Sequence, residues 1–379
     1  MKTQQLKYGN KQWSKLSETE GFLAEKAQLV LVFGERKIFE SMAIYAYLQN
    51  IFPNADITIN STAGEIYDDA VFDNTIIVTA IEFEKSRIKC TKIDISNHTE
   101  SYEAGQLIAQ QLKDNDLRAI IVLSDGSVVN GSSLTKALNT ETDLQILISG
   151  GLAGDAARFE KTLVGLNEEP VEGRIIGIGF YGDEVKIGHG TMGGWDVFGP
   201  EREVTSSEYN VLYKIGDKAA LDLYKEYLGK YAEDLPASAL LFPLSLRTSS
   251  NSVPLVRTIL SIDEEQKSMT FAGEMPEGSL VRFMKANFDR LIDASASAAN
   301  LSISGFTKSP ELALLVSCVG RKLVLGQRSD EEVEAAREIF GQNTVITGFY
   351  SYGEISPLNN SAKCELHNQT MTITTFSEL

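Results

Sequence analysis

With 379 residues, 43% of them hydrophobic and 23% charged, the chain has the composition of a packed globular protein of about two domains rather than a disordered one. Its formal charge of −17, with no long run of Lys or Arg, repels phosphate backbones and anionic headgroups, so neither nucleic acid nor a membrane is an expected partner. Cys90, Cys318 and Cys364 lie too far apart for a zinc knuckle or a disulfide framework, and no stretch approaches the roughly 20 apolar residues of a membrane helix, so a cytoplasmic protein is expected.

Residues 1–28 read as an N-terminal extension without the apolar core of a signal peptide. Leu29–Phe33 is a strand. Ile38, Met42, Tyr45 and Leu48 recur at helical spacing over Ile38–Asn50, and Asp56–Asn60 is a second strand. Thr75–Phe83 is a β-branched strand, and Tyr102–Leu112 is an amphipathic helix. Ala119–Leu123, a helix near Leu134–Leu138 and Leu144–Ser149 repeat the strand, helix, strand order. Arg174–Tyr181 and Glu184–Ile187 read as a hairpin around Gly182-Asp183. The pattern loosens between Gly190 and Asp217, which places a junction there and divides the chain into residues 29–200 and 201–379.

Lys218–Leu228 is a helix, followed by strands over Ala239–Leu246, Pro254–Ile262 and Ser268–Phe271. Leu312–Ser317, a helix over Glu331–Phe340 and Thr344–Tyr350 give a third strand, helix, strand run. Ser329 and Glu332 have capping-box spacing for that helix, and Gln369–Phe376 is the last strand. The fold class expected is α+β: mixed layered sheets with helices, repeated β-α-β-β units and an antiparallel sheet in the C-terminal half.

Each of the three runs ends in a turn that places Gly before an acid: Ser61-Thr62-Ala63-Gly64-Glu65-Ile66, Gly151-Leu152-Ala153-Gly154-Asp155 and Ser351-Tyr352-Gly353-Glu354-Ile355. Glycine there permits close approach or a dihedral that Cβ forbids, so Gly64, Gly154 and Gly353 are expected to be equivalent. Three polar turns on one rim form a shape for holding a small ligand. The candidate binding residues are Ser61, Thr62, Gly64, Glu65, Gly151, Gly154, Asp155, Tyr352, Gly353 and Glu354, with Ser124, Asp125 and Gly126 beyond another strand end.

Catalytic motifs are weak. Gly177 to Gly182 satisfies G-x-G-x-x-G inside strand residues, where no helix follows to take a pyrophosphate. His98-Thr99-Glu100 lacks the P-C-x-x-C of a zinc deaminase, and Cys318 near Arg321 has no histidine beside it. The chain therefore reads as no enzyme. An alternative keeps an uncharacterised enzyme using Cys318 or the carboxylates of Glu65, Asp155 and Glu354, and another keeps a pure interaction scaffold. Of the three histidines, His98 sits in a polar loop, His189 between two glycines, and His367 on a strand face with Gln369, Met371 and Ile373. His367 is either a core histidine or a member of a polar ladder with Asn368 and Gln369.

The Ser61–Ile66 turn, Leu123-Ser124-Asp125-Gly126, Gly150 to Asp155, the Ala219–Gly229 helix with Tyr224 and Tyr227, Gly348 to Ile355 and Leu366 to Thr372 together resemble the FIST family. The resemblance runs from about Leu29 to the C-terminus. It implies a sensory module of intracellular signal transduction with an N-terminal and a C-terminal FIST domain, binding a small molecule such as an amino acid. Stand-alone members include haem proteins that sense nitric oxide and regulate a histidine kinase. By that resemblance His367, and after it His189, are the candidate haem ligands, with His367 on the metal; a homo-oligomer is also compatible with it.

Overall fold

Three copies of one strand–helix–strand unit build the body of the protein in a computed structural model that describes residues 1–143, 145–249, 254–357 and 363–379. Leu144, the first residue of one expected strand, lies outside the described residues. In the first copy Leu29–Gly34 runs parallel to Asp56–Ser61 and antiparallel to Ile76–Glu82. In the second, Leu117–Ser124 lies between parallel Leu147–Leu152 and antiparallel Arg174–Tyr181. In the third, Leu312–Cys318 lies between parallel Val345–Ser351 and antiparallel Met371–Glu378. All three central strands are buried and almost wholly apolar, the pattern of strands covered on both faces.

The copies exchange strands in a closed cycle. After its turn the first sends Glu65–Tyr67 to pair with Val345–Ser351 of the third. The third sends Gly353–Pro357 to Leu147–Leu152 of the second, and the second sends Val164–Leu166 to Asp56–Ser61 of the first. Each of these three sheets thus has six strands, five from its own copy in the first and four in the second and third. The inner faces meet in one apolar core containing Leu31, Ile81, Ile121, Ile178, Leu314 and Phe376. Helices cover the outer faces, as with Gly131–Glu141 and Ser101–Leu112 on the second sheet.

A fourth, wholly antiparallel sheet is inserted in the third copy between Val185–Met192 and the helix Phe288–Ser302. Its strands run from Asp196–Glu208 to Leu280–Lys285 and close over the helix Ala220–Leu228 with their own core. The architecture is α+β with repeated units and an antiparallel sheet in the C-terminal half, as the sequence leads one to expect.

Several local readings change. Arg174–Tyr181 and Val185–Met192 form no hairpin with each other: the first pairs inside the second sheet, while the second crosses to Met371–Glu378. The expected Ile38–Asn50 helix is two helices, Arg36–Ser41 and Ile44–Ile51, because extended backbone at Met42 turns the chain so that Phe39, Ile44 and Leu48 all reach one core. Lys2–Gly9 and Gln12–Glu18 are strands of the first sheet. The division at residues 200 and 201 falls within the strand Asp196–Glu208. Ser329 and Glu332 form no capping box, since Glu332 points inward to Arg321.

Candidate functional site

The three turns come together. Gly154 N donates to Ser61 O at 2.8 Å, Ala63 N to Tyr350 O at 2.8 Å, and Tyr352 N to Leu152 O at 3.2 Å, so each copy's turn hydrogen-bonds the strand end of another. This ring shows which residues correspond. Gly154 stands where Ala63 and Tyr352 stand, one place before Gly64 and Gly353, so the second copy's Gly-acid pair is shifted by one residue. Gly64 has φ +141°, while Gly154 and Gly353 owe their place to crowding: a Cβ on Gly154 would lie 2.7 Å from Ala63 N, and one on Gly353 2.8 Å from Leu366 Cδ1. Gly154→Ala is expected to cost about 1–3 kcal/mol, because the neighbour is main chain and cannot move aside. Urea denaturation measures it; a loss below about 0.5 kcal/mol would contradict the ring.

The first and third copies share a hydroxyl–carboxyl–hydroxyl knot. Thr62 Oγ1 lies 2.6 Å from Glu65 Oε1 and Thr75 Oγ1 2.7 Å from Oε2. Ser351 Oγ lies 2.7 Å from Glu354 Oε1, and Thr370 Oγ1 2.8 Å from Oε2. Both acids are fully buried, and burial pushes Glu65 up to about 8 and Glu354 up to about 7 against these hydrogen bonds. In the second copy the acid of the Gly-acid pair forms no such knot among the described residues; two hydroxyls, of Ser127 and Thr162, bond Asp125 instead. There Asp155 takes Arg36 Nε at 2.8 Å and Arg158 Nε at 2.9 Å. Burial opposes its charge, yet the two guanidinium groups hold the carboxyl below the usual range.

The remaining candidates also face inward. Asp125 closes a turn with Ser127 N at 2.8 Å, Val128 N at 2.6 Å and Thr162 Oγ1 at 2.7 Å, and Gly126 N donates to Thr162 Oγ1. Ser124 is buried beside it, and a Cβ on Gly151 would lie 2.7 Å from Val316 Cγ1. Ser61 Oγ donates to Gly154 O at 2.8 Å. Tyr352 stacks on Phe159 with ring centroids 4.5 Å apart. The rim is therefore a set of interlocked turns whose polar groups, apart from Asp155 Oδ2, are largely bonded to protein.

His189 and His367 lie close enough that charge on one disfavours charge on the other. Both address the same strand: His189 Nε2 is 3.1 Å from Pro357 O and His367 Nε2 2.9 Å from Ser356 O. Burial lowers each pKa to about 4, so both rings are neutral at pH 7. Ligation of an iron through either Nε2 would require that carbonyl bond to break. Cys318 is buried and its thiol is raised far above its ordinary range, first by burial and then by Glu354, and Arg321 is bonded to Glu332 instead.

Two residues next to His367 differ from everything above. Asn368 and Gln369 are 1% and 0% exposed, and among the described residues neither side-chain amide has a hydrogen-bond partner at its oxygen or its nitrogen. In the sequence they stand within the Leu366 to Thr372 segment of the resemblance and as neighbours of His367, not as binding candidates; the signal is two adjacent carboxamides just before a buried strand. Nearby, Arg257 is a buried guanidinium bonded through Nε to Glu274 O and through Nη1 to Val256 O and Leu366 O. Among the described residues no carboxylate pairs with it, and its pKa falls to about 10 through burial.

Comparison with known families decides the relationship. A profile of the FIST N domain matches residues 28–218, and one of the FIST C domain matches residues 220–357. The chain belongs to the FIST family. FIST domains are signal-transduction sensor domains that bind small ligands. No curated protein matches the chain. Among solved structures, the crystal structure of cyanuric acid hydrolase from A. caulinodans aligns over 77% of this chain and 99% of its own at 8% identity and a TM-score of 0.20, a similarity too low to bear on fold or activity. No helix among the described residues of this FIST protein is long and apolar enough to cross a membrane.

Proposed function

We propose that this FIST protein is a non-catalytic sensor that binds a small polar ligand and passes its occupancy to a separate signalling protein. The observation that carries the reading is the match of both FIST domains across residues 28–357, and the buried, unpartnered amides of Asn368 and Gln369 support it. A buried amide without partners loses on the order of 1–3 kcal/mol that a complementary ligand restores. The carboxyls of Glu65, Asp155 and Glu354 support structure more than acid–base chemistry, since each is closed in by its own copy or by arginines. A ligand at 100 times its Kd adds about 2.7 kcal/mol to stability, so a screen of small polar metabolites against the whole chain is expected to raise its Tm in a dose-dependent way. An interaction scaffold gives no such shift.

Haem with nitric oxide, and a histidine kinase as the partner, are the narrower form of this reading. The carbonyl bonds of His189 and His367 favour the haem-free form, with an amino-acid-like or other polar ligand in its place. Protein freshly purified from cells is therefore expected to be colourless. A Soret band that moves with nitric oxide, and is lost in His367→Ala or His189→Ala, would establish the haem form instead.

A further inference from the structure

The turn that carries Asn368 and Gln369 has a counterpart in the first copy, and the two form an internal comparison. Asp73-Asn74-Thr75 precedes Ile76–Glu82 as Asn368-Gln369-Thr370 precedes Met371–Glu378. Asn74 and Gln369 both have left-handed backbone, φ 57° and 63°. The next residue, Thr75 or Thr370, bonds the knot carboxyl. In the first copy Asp73 and Asn74 are exposed, and Asp73 also pairs with Lys322, so water and that ammonium satisfy the turn. In the third copy the same turn is buried. Trp195 Nε1 donates to Gln369 O at 2.9 Å from the start of the inserted sheet, and Gly320 leaves room for the Gln369 side chain, which a Cβ there would strike. The insertion has thus covered a polar turn without supplying partners for its side chains. A purely structural cover would have left apolar residues at both positions, because replacing an unpartnered buried amide by an apolar group is neutral or stabilising.

From the same inserted sheet Arg257 reaches the neighbouring edge strand, bonding Leu366 O at 3.1 Å. Its bonds are to main-chain carbonyls alone, and Nη2 has no partner among the described residues. Glu365 and Glu274 act on this charge electrostatically without reaching it as an ion pair among the described residues, so burial still outweighs them and the planar fork is left to suit a carboxylate that bonds it directly. We infer that Arg257, Asn368 and Gln369 form a ligand site between the inserted sheet and the third copy, and that it takes a small carboxylate that also bears an amide-like donor and acceptor. This gives the sensor reading a place and a chemical class, and it rests on that reading. The carboxylate meets Arg257 and the amide-like end meets the two carboxamides, which discriminate strongly because an analogue lacking the group leaves them unpaired.

The test uses the whole chain and named probes: oxamate, succinamate and 4-ureidobutyrate, with acetamide and succinamide as controls that lack the carboxylate. At least one of the three carboxylates is expected to raise Tm with concentration, with neither neutral amide doing so. Asn368→Leu is expected to fold, to melt no lower than the parent, and to bind that probe at least tenfold more weakly. Arg257→Lys keeps a charge without the fork and is expected to weaken it similarly; if it fails to fold, Asn368→Leu decides. Silence of all three carboxylates, or unchanged binding in Asn368→Leu, overturns the site. If other polar compounds then shift parent and variant equally, the sensor reading stands without this site. If no compound shifts either protein, both fall.

Discussion

Arg321→Met is expected to destabilise the protein by about 3–5 kcal/mol, the usual cost of removing one partner from a buried ion pair. Arg321 and Glu332 both have fully buried side chains, joined at 2.7 and 2.9 Å through Nη2 and Nε. The guanidinium also donates to Gly193 O at 2.6 Å and Leu291 O at 2.7 Å, so it ties the start of the inserted sheet to two helices. Glu332 in turn takes Ser317 Oγ at 3.0 Å and Tyr350 OH at 2.6 Å. Loss of Arg321 leaves that carboxylate uncompensated, whereas Arg321→Met with Glu332→Leu removes both charges and is expected to recover part of the loss. Urea denaturation of the parent, single and double variants measures this. A single-variant loss below about 1 kcal/mol would mean the pair does not hold the junction.

Stability is expected to be greatest near pH 5–6 and to fall on both sides. Glu65 and Glu354 have folded values of about 8 and about 7 against 4.5. Their contribution is full below 4.5 and is lost as pH rises, until it levels off at the folded value, because the unfolded chain ionises first. His189 and His367, at about 4 against 6.5, contribute fully above 6.5 and lose that contribution as pH falls to 4. Between 4.5 and 6.5 two groups of each kind oppose one another and the slopes cancel. Above 6.5 only the carboxyls act, each at roughly 1.4 kcal/mol per pH unit until it ionises in the fold. Below 4.5 the histidines act together with carboxyls held low, among them Asp155 and Glu378. Burial opposes the charge of each, but Arg36 and Arg158 keep Asp155 charged, and main-chain N–H groups of Glu84, Lys85 and Ser86 stabilise Glu378 to about 2. Glu65→Gln is expected to remove the slope between pH 7 and 8. Melting curves from pH 4 to 9 check this, and a parent protein equally stable at pH 6 and 8 would contradict it.

Much of the fold is legible in the sequence because each copy's strands are continuous apolar runs and each turn repeats a Gly-acid pair. Strand exchange is not legible. Gly182-Asp183 sits between two apolar runs as a hairpin turn would, and only tertiary pairing sends Val185–Met192 to the chain's end. The same holds for Ser329 and Glu332, whose capping-box spacing is real but whose acid is taken by Arg321, eleven residues upstream. Lys2–Gly9 hides as a strand because its buried positions include Thr3 and Gln5, polar side chains that Thr19 and Thr79 satisfy. The Gly-acid pairs draw the eye to Glu65, Asp155 and Glu354, which prove to be bound within the protein. Asn368 and Gln369 fall in a segment of the family resemblance, but no catalytic or binding motif singles them out. Their distinction is to be buried without partners, and burial under a sheet some hundred residues earlier in the chain is invisible to periodicity.

Native mass spectrometry of the whole chain tests the central claim most directly, since it asks whether the protein carries a small molecule without assuming which one. Protein purified gently from cells, or incubated with a mixture of polar metabolites, is expected to show a non-covalent adduct of small-molecule mass that disappears on denaturation and is diminished in Asn368→Leu. A spectrum holding only the bare chain under both conditions would contradict the sensor account.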